Sequence, residues 1–159
     1  MAKFPSGVDV AVAPHLHTGE TLMAATYAES TSATDDVMSM LIGNIGRKAA
    51  RKTGLSDDAL PRLPGLAGTI YRGEVVVAVT DRRLLVFPSN GKRVIGEPTW
   101  FEPGAVVLIT HSSPVLGSQT IDLRFGDNTS VSLALSSRNH GRHVEKAGRA
   151  LLSRGGSRR

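Results

Sequence analysis

The chain has 159 residues, of which 40% are hydrophobic and 21% charged, so its size and composition fit one domain with a packed core. Aromatic residues make up only 4%, so we expect an aliphatic core. Cysteine is absent, which excludes disulfides, zinc fingers and a cysteine nucleophile. The net charge of +5 comes mainly from residues 138–159, where seven Lys and Arg residues accompany a single acidic residue, Glu145.

The N-terminal segment, residues 1–18, contains Pro and Gly and lacks a continuous apolar stretch. We therefore expect it to be extended and not to act as a secretory signal. The longest apolar runs, residues 75–79 and 105–109, are far shorter than the roughly 20 residues that cross a bilayer. These features predict a cytoplasmic protein that at most lies on the membrane surface.

A first strand is predicted over residues 21–29, followed by an insertion at about residues 30–68. Within the insertion, residues 35–53 have the apolar spacing i, i+3, i+4, i+7 of an amphipathic helix, with basic residues in its last turns. Two internal glycines weaken this helix by up to about 1 kcal/mol each, so it needs a surface to pack against. Its apolar and basic side chains form the candidate interaction surface: Met38, Leu41, Ile42, Ile45, Arg47, Lys48, Arg51 and Lys52.

Six further strands are predicted over residues 69–80, 83–88, 93–101, 105–110, 121–125 and 131–135. The last two alternate strictly between apolar and polar residues, which is typical of a hairpin with one buried face. An Asn90-Gly91 pair predicts a reversal of the chain. Seven short antiparallel strands predict a mainly β fold, a bent barrel or sandwich whose curvature removes the sheet edges.

A helix follows the last strand, with Asn139 as a possible N-cap and one apolar stripe formed by His140, Val144, Ala147 and Leu151. We expect this helix to cap the barrel. The single domain then spans residues 19–153, and residues 154–159 form a disordered basic tail.

The run Val77-Ala78-Val79-Thr80-Asp81-Arg82-Arg83-Leu84-Leu85-Val86-Phe87 resembles a hairpin signature of bacterial pleckstrin-homology (PH)-like domains. Gly19-Glu20 before the first strand and the final hairpin before the last helix are similar to that family's layout. The resemblance covers the first strand and residues 69–153, but not the insertion between strands 1 and 2. It implies a helix-capped seven-stranded barrel that binds at its open mouth, where the insertion lies. The phosphoinositide pattern of that fold is not matched, since Arg72 is followed by Gly73-Glu74.

Catalytic motifs are missing from the sequence: it has no nucleophile elbow, no His-Glu-x-x-His and no phosphate-binding loop. We therefore expect no enzyme and no cofactor. The pairs His15/His17 and His140/His143 could together supply four metal ligands, but nothing in the sequence brings them together, so no metal site is expected. Arg83 is expected to lie along the barrel and pair with a carboxylate.

The leading hypothesis is a non-enzymatic adaptor or scaffold that uses the insertion helix to bind a protein partner, a second copy or an anionic membrane. The same helix could instead pack on its own barrel. A second hypothesis is a nucleic-acid-associated protein whose basic C-terminal segment contacts phosphates through Arg149, Arg154, Arg158 and Arg159. A third is a small-molecule enzyme or carrier, which would need a polar pocket inside the barrel, for example around His111.

Overall fold

The computed structural model describes residues 4–30, 65–112, 119–135 and 138–156, with side chains given for 140–154 in the last range. These described residues contain seven strands and two α-helices. The strands are β1 (Leu22–Ser30), β2 (Gly73–Thr80), β3 (Leu84–Pro88), β4 (Thr99–Phe101), β5 (Val106–Ser112), β6 (Thr120–Phe125) and β7 (Ser130–Leu135). The helices are α1 (Val8–Val12) and α2 (Arg138–Gly156), and short 3-10 turns cover Ala13–His15 and Gly65–Thr69.

The strands form one antiparallel sheet in the order β4-β3-β2-β1-β7-β6-β5. This confirms the predicted mainly β class with seven antiparallel strands and a C-terminal helix. The predicted barrel is wrong, because within the described residues β4 and β5 share no backbone pairing and the sheet stays open. β4 has only three residues, against the nine predicted over 93–101, so it offers little edge for closure. Side chains join the two halves instead: the rings of Phe101 and Phe125 are 4.8 Å apart.

Helix α2 packs on the inner face of the sheet, against β1, β2 and β5. Its predicted apolar stripe is largely confirmed, since Val144 and Leu151 are buried and Ala147 packs against the core. Gly148 is also buried, and a Cβ at this position would lie 2.5 Å from Cδ1 of Ile109. The absence of a side chain there lets the helix approach β5 closely.

The outer face of β1–β3 is covered by residues 4–16, which the sequence analysis predicted to be extended. That prediction is wrong, since residues 8–15 are helical. Val8 and Val12, one turn apart on α1, are both buried, and Phe4 and Leu16 continue the same four-residue spacing. They pack on the outward-facing side chains of the sheet, which are Ala25, Val76, Ala78, Leu85 and Phe87. The apolar face therefore selects a helix despite the flanking Pro and Gly residues.

The borders of the domain differ in two places from the prediction. The predicted insertion ended at about residue 68, but Ala67 is buried in the inner core and Leu66 packs against it, so both belong to the fold. The predicted disordered tail began at residue 154, whereas α2 continues to Gly156. Leu151 and Leu152 pack on the core and hold this last turn. The predicted helix at 35–53 lies outside the described residues.

Candidate functional site

The eight residues of the predicted interaction surface, Met38 to Lys52, fall in segment 31–64, outside the described residues. The structure does describe where this segment leaves and rejoins the sheet. β1 ends at Ser30, which is in register with Gly73 of β2 and Leu133 of β7. The chain returns at Gly65, beside the β6–β7 turn, where the carboxylate of Asp127 accepts a hydrogen bond of 2.8 Å from the Leu66 N–H. We call this end of the sheet the insertion end.

The β3–β4 loop, residues 89–98, lies at the insertion end. The Ser89 N–H donates to the Glu74 carbonyl at the start of β2, at 2.9 Å. The loop reverses at Gly91, whose φ of 86° favours glycine, so the predicted Asn90-Gly91 turn is confirmed. The Asn90 side-chain oxygen accepts the Lys92 and Arg93 N–H groups, each at 3.0 Å. These bonds give the loop a defined shape.

The loop presents two basic side chains, since Lys92 and Arg93 are both exposed. Its position is fixed from the outer face of the sheet, where the Tyr27 hydroxyl donates to the Lys92 carbonyl at 2.7 Å. Burial raises the pKa of Tyr27, which keeps this hydroxyl protonated as a donor. This basic pair was not among the predicted interaction residues, although the preceding Asn90-Gly91 turn indicated a loop at this position.

Charge at the insertion end is mixed. The exposed Glu74 follows directly on Gly73 and lies against the loop, because a Cβ at Gly91 would come 2.8 Å from its Oε2. Glu29 pairs with Glu74 across β1 and β2, and Asp127 lies in the neighbouring turn. Within the described residues this surface therefore combines basic and acidic groups and is not uniformly positive.

A buried ionic network lies at the opposite end of the sheet, around Glu20 and Arg83. The Glu20 carboxylate accepts hydrogen bonds from Arg83 Nε at 2.9 Å and Nη2 at 3.1 Å, from the Thr80 hydroxyl at 2.6 Å and from the His17 N–H at 2.8 Å. Arg83 Nη2 also donates to the His15 carbonyl at 2.8 Å. The network fastens the N-terminal segment to the β2–β3 hairpin.

Burial of the Glu20 carboxylate raises its pKa, but the hydrogen bonds from Arg83, Thr80 and His17 outweigh burial and lower the pKa to about 2. The carboxylate is thus ionised and fully engaged. The expected pairing of Arg83 with a carboxylate is confirmed, and the partner is Glu20, 63 residues away in sequence. This pair has a structural role, because neither side chain is accessible to a ligand.

The β2–β3 turn is held by the side chain of Thr80. The Thr80 oxygen accepts the N–H groups of Arg82 at 3.1 Å and Arg83 at 2.9 Å. Asp81 bonds across to the start of β1 rather than to its own turn: its Oδ1 accepts the Thr21 N–H at 2.9 Å, and its N–H donates to the Thr21 carbonyl at 3.0 Å.

Beside this turn an open cleft of about 750 Å³ is lined by both acidic and basic side chains. Its lining residues are Asp81, Arg82, Glu102, Pro103, Gly104, Leu151 and Arg154. Arg154, assigned to phosphate contacts under the nucleic-acid hypothesis, thus lies beside two carboxylate residues. Arg149 is 3.7 Å from Glu145, and Arg158 and Arg159 lie outside the described residues.

The two predicted histidine pairs have separate environments. His15 stacks edge-on against Phe87 at 5.2 Å and lies 3.3 Å from Glu97, while His17 is exposed. His140 and His143 lie in the first turns of α2. Among the described residues no group of three or more His, Cys, Asp or Glu residues is arranged to hold a metal ion.

The described helices include none that is long and apolar enough to cross a bilayer. Compared with protein-family models and with curated protein sequences, the chain has no match in either.

Proposed function

We propose that this protein is a non-enzymatic interaction module with a PH-like architecture, which binds a protein partner or a second copy of itself at the insertion end. The observation that carries the proposal is the convergence at that end of both borders of segment 31–64 and the ordered β3–β4 loop. A long segment emerging next to a shaped, exposed loop is a typical arrangement for a binding surface on a rigid sheet.

The PH-like part of the proposal is supported by the strand order. Neighbouring strands follow each other along the chain from β1 to β4 and again from β5 to β7, and β1 pairs with β7. A C-terminal helix packs over the inner face between the two halves. This order of strands and helix supports the resemblance, although the sheet does not close into the barrel that the resemblance implies. The hairpin of residues 77–87 contributes to β2 and β3.

Mixed charge at the insertion end favours a protein over an anionic membrane as the partner. Lipid headgroups attract surfaces that are basic throughout, whereas here Glu74 lies against the loop that carries Lys92 and Arg93, and Asp127 lies at the same end of the sheet. Protein interfaces tolerate such a mixture, because charges of both signs can be matched across the contact. Segment 31–64 also contains basic residues, so binding to an anionic membrane is the alternative outcome of the test.

The test replaces residues 31–64 by a short Gly/Ser linker and keeps residues 65–70, which belong to the core. We expect the variant to fold, as judged by circular dichroism, and to lose self-association measured by light scattering or partner capture measured with the immobilised protein. The double variant K92E/R93E should weaken the same interaction, and R142E, on the exposed side of α2, serves as a matched charge-reversal control.

Three results would contradict the proposal. If the linker variant associates and captures proteins as the intact chain does, segment 31–64 is not part of the binding surface. If K92E/R93E and R142E have equal effects, charge at the insertion end is not specific. Salt-sensitive binding to vesicles of anionic phospholipid, lost in the linker variant, would replace the protein partner by a membrane.

A further inference from the structure

The first turns of α2 contain a buried histidine nitrogen with no hydrogen-bond partner. Nδ1 of His140 is inaccessible to solvent, and none of the residues that the structure describes donates to it or accepts from it. Burial lowers the pKa of His140, and the nearby His143 lowers it further. His140 thus occupies a position that suits a neutral ring and opposes a charged one.

The groups around His140 do not offset a positive charge. From β5, the His111 ring packs against Gly141, where a Cβ would lie 3.1 Å from His111 Cδ2. His111 Nε2 is 3.0 Å from the neutral Gln119 Oε1. From α2 itself come His143 and the carboxylate of Glu145, which already accepts the His111 backbone N–H and lies 3.7 Å from Arg149.

The remaining elements against α2 present mostly apolar side chains to it. The inner face of β1 carries Ala24, Thr26 and Ala28, and that of β2 carries valines. The Thr26 hydroxyl is neutral and donates to the Tyr27 carbonyl at 3.2 Å, and the last residue of β7 is Leu135. The N-terminal end of a helix also carries a partial positive charge, which disfavours a cation in the first turn. Apart from the Glu145 carboxylate, which is already engaged by the His111 N–H and lies near Arg149, the described groups that pack here therefore favour the neutral ring.

We propose that His140 is an acid-sensitive latch, which holds the first turns of α2 on β5 and β7 when neutral and releases them when protonated. The released state frees the ring to take up a proton with its ordinary pKa of 6.5. The docked state is therefore fully favoured above pH 6.5 and is weakened as the pH falls below that value. For one proton, the released population rises about tenfold per pH unit until the docked ring itself is protonated.

Amide hydrogen exchange of the intact chain between pH 7.5 and 5, corrected for intrinsic exchange rates, tests the latch. We expect the protection factors of residues 140–146 to fall by up to tenfold per pH unit below 6.5. Amides in β2 and β3, which report on global unfolding, should change less over the same range. Equal loss of protection in α2 and in β2–β3 would show a global effect and overturn the latch.

Two variants separate the latch from a merely structural histidine. H140L cannot be protonated and should make the protection of residues 140–146 independent of pH between 6.5 and 5. H143Q removes the neighbouring positive charge and should make the pH dependence shallower while leaving α2 docked at pH 7.5. If H140L does not fold, H143Q and an NMR titration of His140 in the intact chain still test the latch. A pKa of His140 at or above 6.5 in the intact chain refutes the proposal.

Discussion

Arg83→Met tests how strongly the buried ion pair holds the N-terminal segment. The substitution keeps an aliphatic chain of similar length in the core but removes the guanidinium from Glu20 and from the His15 carbonyl. Glu20 then remains as a buried carboxylate with two hydrogen bonds, from Thr80 and the His17 N–H.

The expected loss in the free energy of unfolding is about 3–5 kcal/mol, the usual cost of removing one partner from a buried pair. The pKa of Glu20 indicates a free energy of the same order of magnitude. The pKa of Glu20 is lowered from 4.5 to about 2, and this difference corresponds to about 3 kcal/mol of preference for the ionised form. Because folded Glu20 binds its proton more weakly than unfolded Glu20, this stabilisation is present above pH 4.5 and lost as the pH falls towards 2.

Urea unfolding followed by circular dichroism measures the loss. Circular dichroism is preferred to tryptophan fluorescence because the Arg83 guanidinium lies 5.5 Å from the ring centroid of Trp100, so the substitution would change the signal of the folded state. In a double-mutant cycle with Glu20→Gln, we expect a coupling of about 3 kcal/mol and a much smaller loss of stability between pH 4.5 and 2 in R83M. A loss below about 1 kcal/mol at pH 7, or an unchanged acid dependence, would refute the buried-pair argument.

Three further changes have expected outcomes. Val8→Ala should lower the free energy of unfolding by about 2 kcal/mol in denaturant titrations, while Val10→Ala on the exposed side of the same helix should change it by less than about 0.5 kcal/mol; equal effects would contradict the packing of α1 on the sheet. Gly148→Val should lower the free energy of unfolding by about 1–3 kcal/mol through an overpacked contact with β5, and with it the melting temperature. An unchanged melting temperature would mean that the helix is free to move outward. Asp127→Asn should lower the protection of the Leu66 amide against exchange, because its N–H is bonded to the Asp127 carboxylate. The hydrogen bonds from Thr129 and Leu66 lower the pKa of Asp127, so in the intact chain this protection, corrected for intrinsic exchange rates, should fall only below pH 3.8.

For strands with one buried face, both the type of element and its position in the sequence could be predicted. In β6 and β7 every second residue is apolar, and the buried residues are the ones that the alternation indicated, including Ile121, Leu123, Val131 and Leu133. β2 was predicted as a strand from its continuous run of Val and Ala. Because this run is apolar on both faces of the strand, it also indicated that a layer of the protein packs on each face of the sheet.

The layer on the outer face, formed by residues 4–16, was not predicted. The four-residue spacing from Phe4 to Leu16 was available, but Pro5, Gly7 and Pro14 suggested an extended chain. The structure resolves the conflict by making two short helical pieces rather than one long helix. Short helices of this kind depend on tertiary contacts for their stability, so local sequence preference is a weak guide to them.

The site was less predictable than the fold. A carboxylate partner for Arg83 could be expected from its charge and its position between apolar strands, but not the identity of Glu20, since the pairing depends on how β1 and the hairpin are placed in space. The eight residues from Met38 to Lys52 stay a prediction. Lys92 and Arg93 could not be distinguished from other exposed charges until the structure placed their loop beside Glu74, at the insertion end of the sheet.

The position of β1 between β2 and β7 has a consequence for synthesis on the ribosome. One edge of β1 can pair as soon as β2 has been made, but the partner for its other edge begins only at Ser130. Until then a growing chain carries an unpaired strand edge whose residues are mostly apolar, and such edges promote association between nascent chains. The order of translation therefore makes the final pairing of β1 a late, long-range step, with the β2–β3 hairpin as the natural early nucleus.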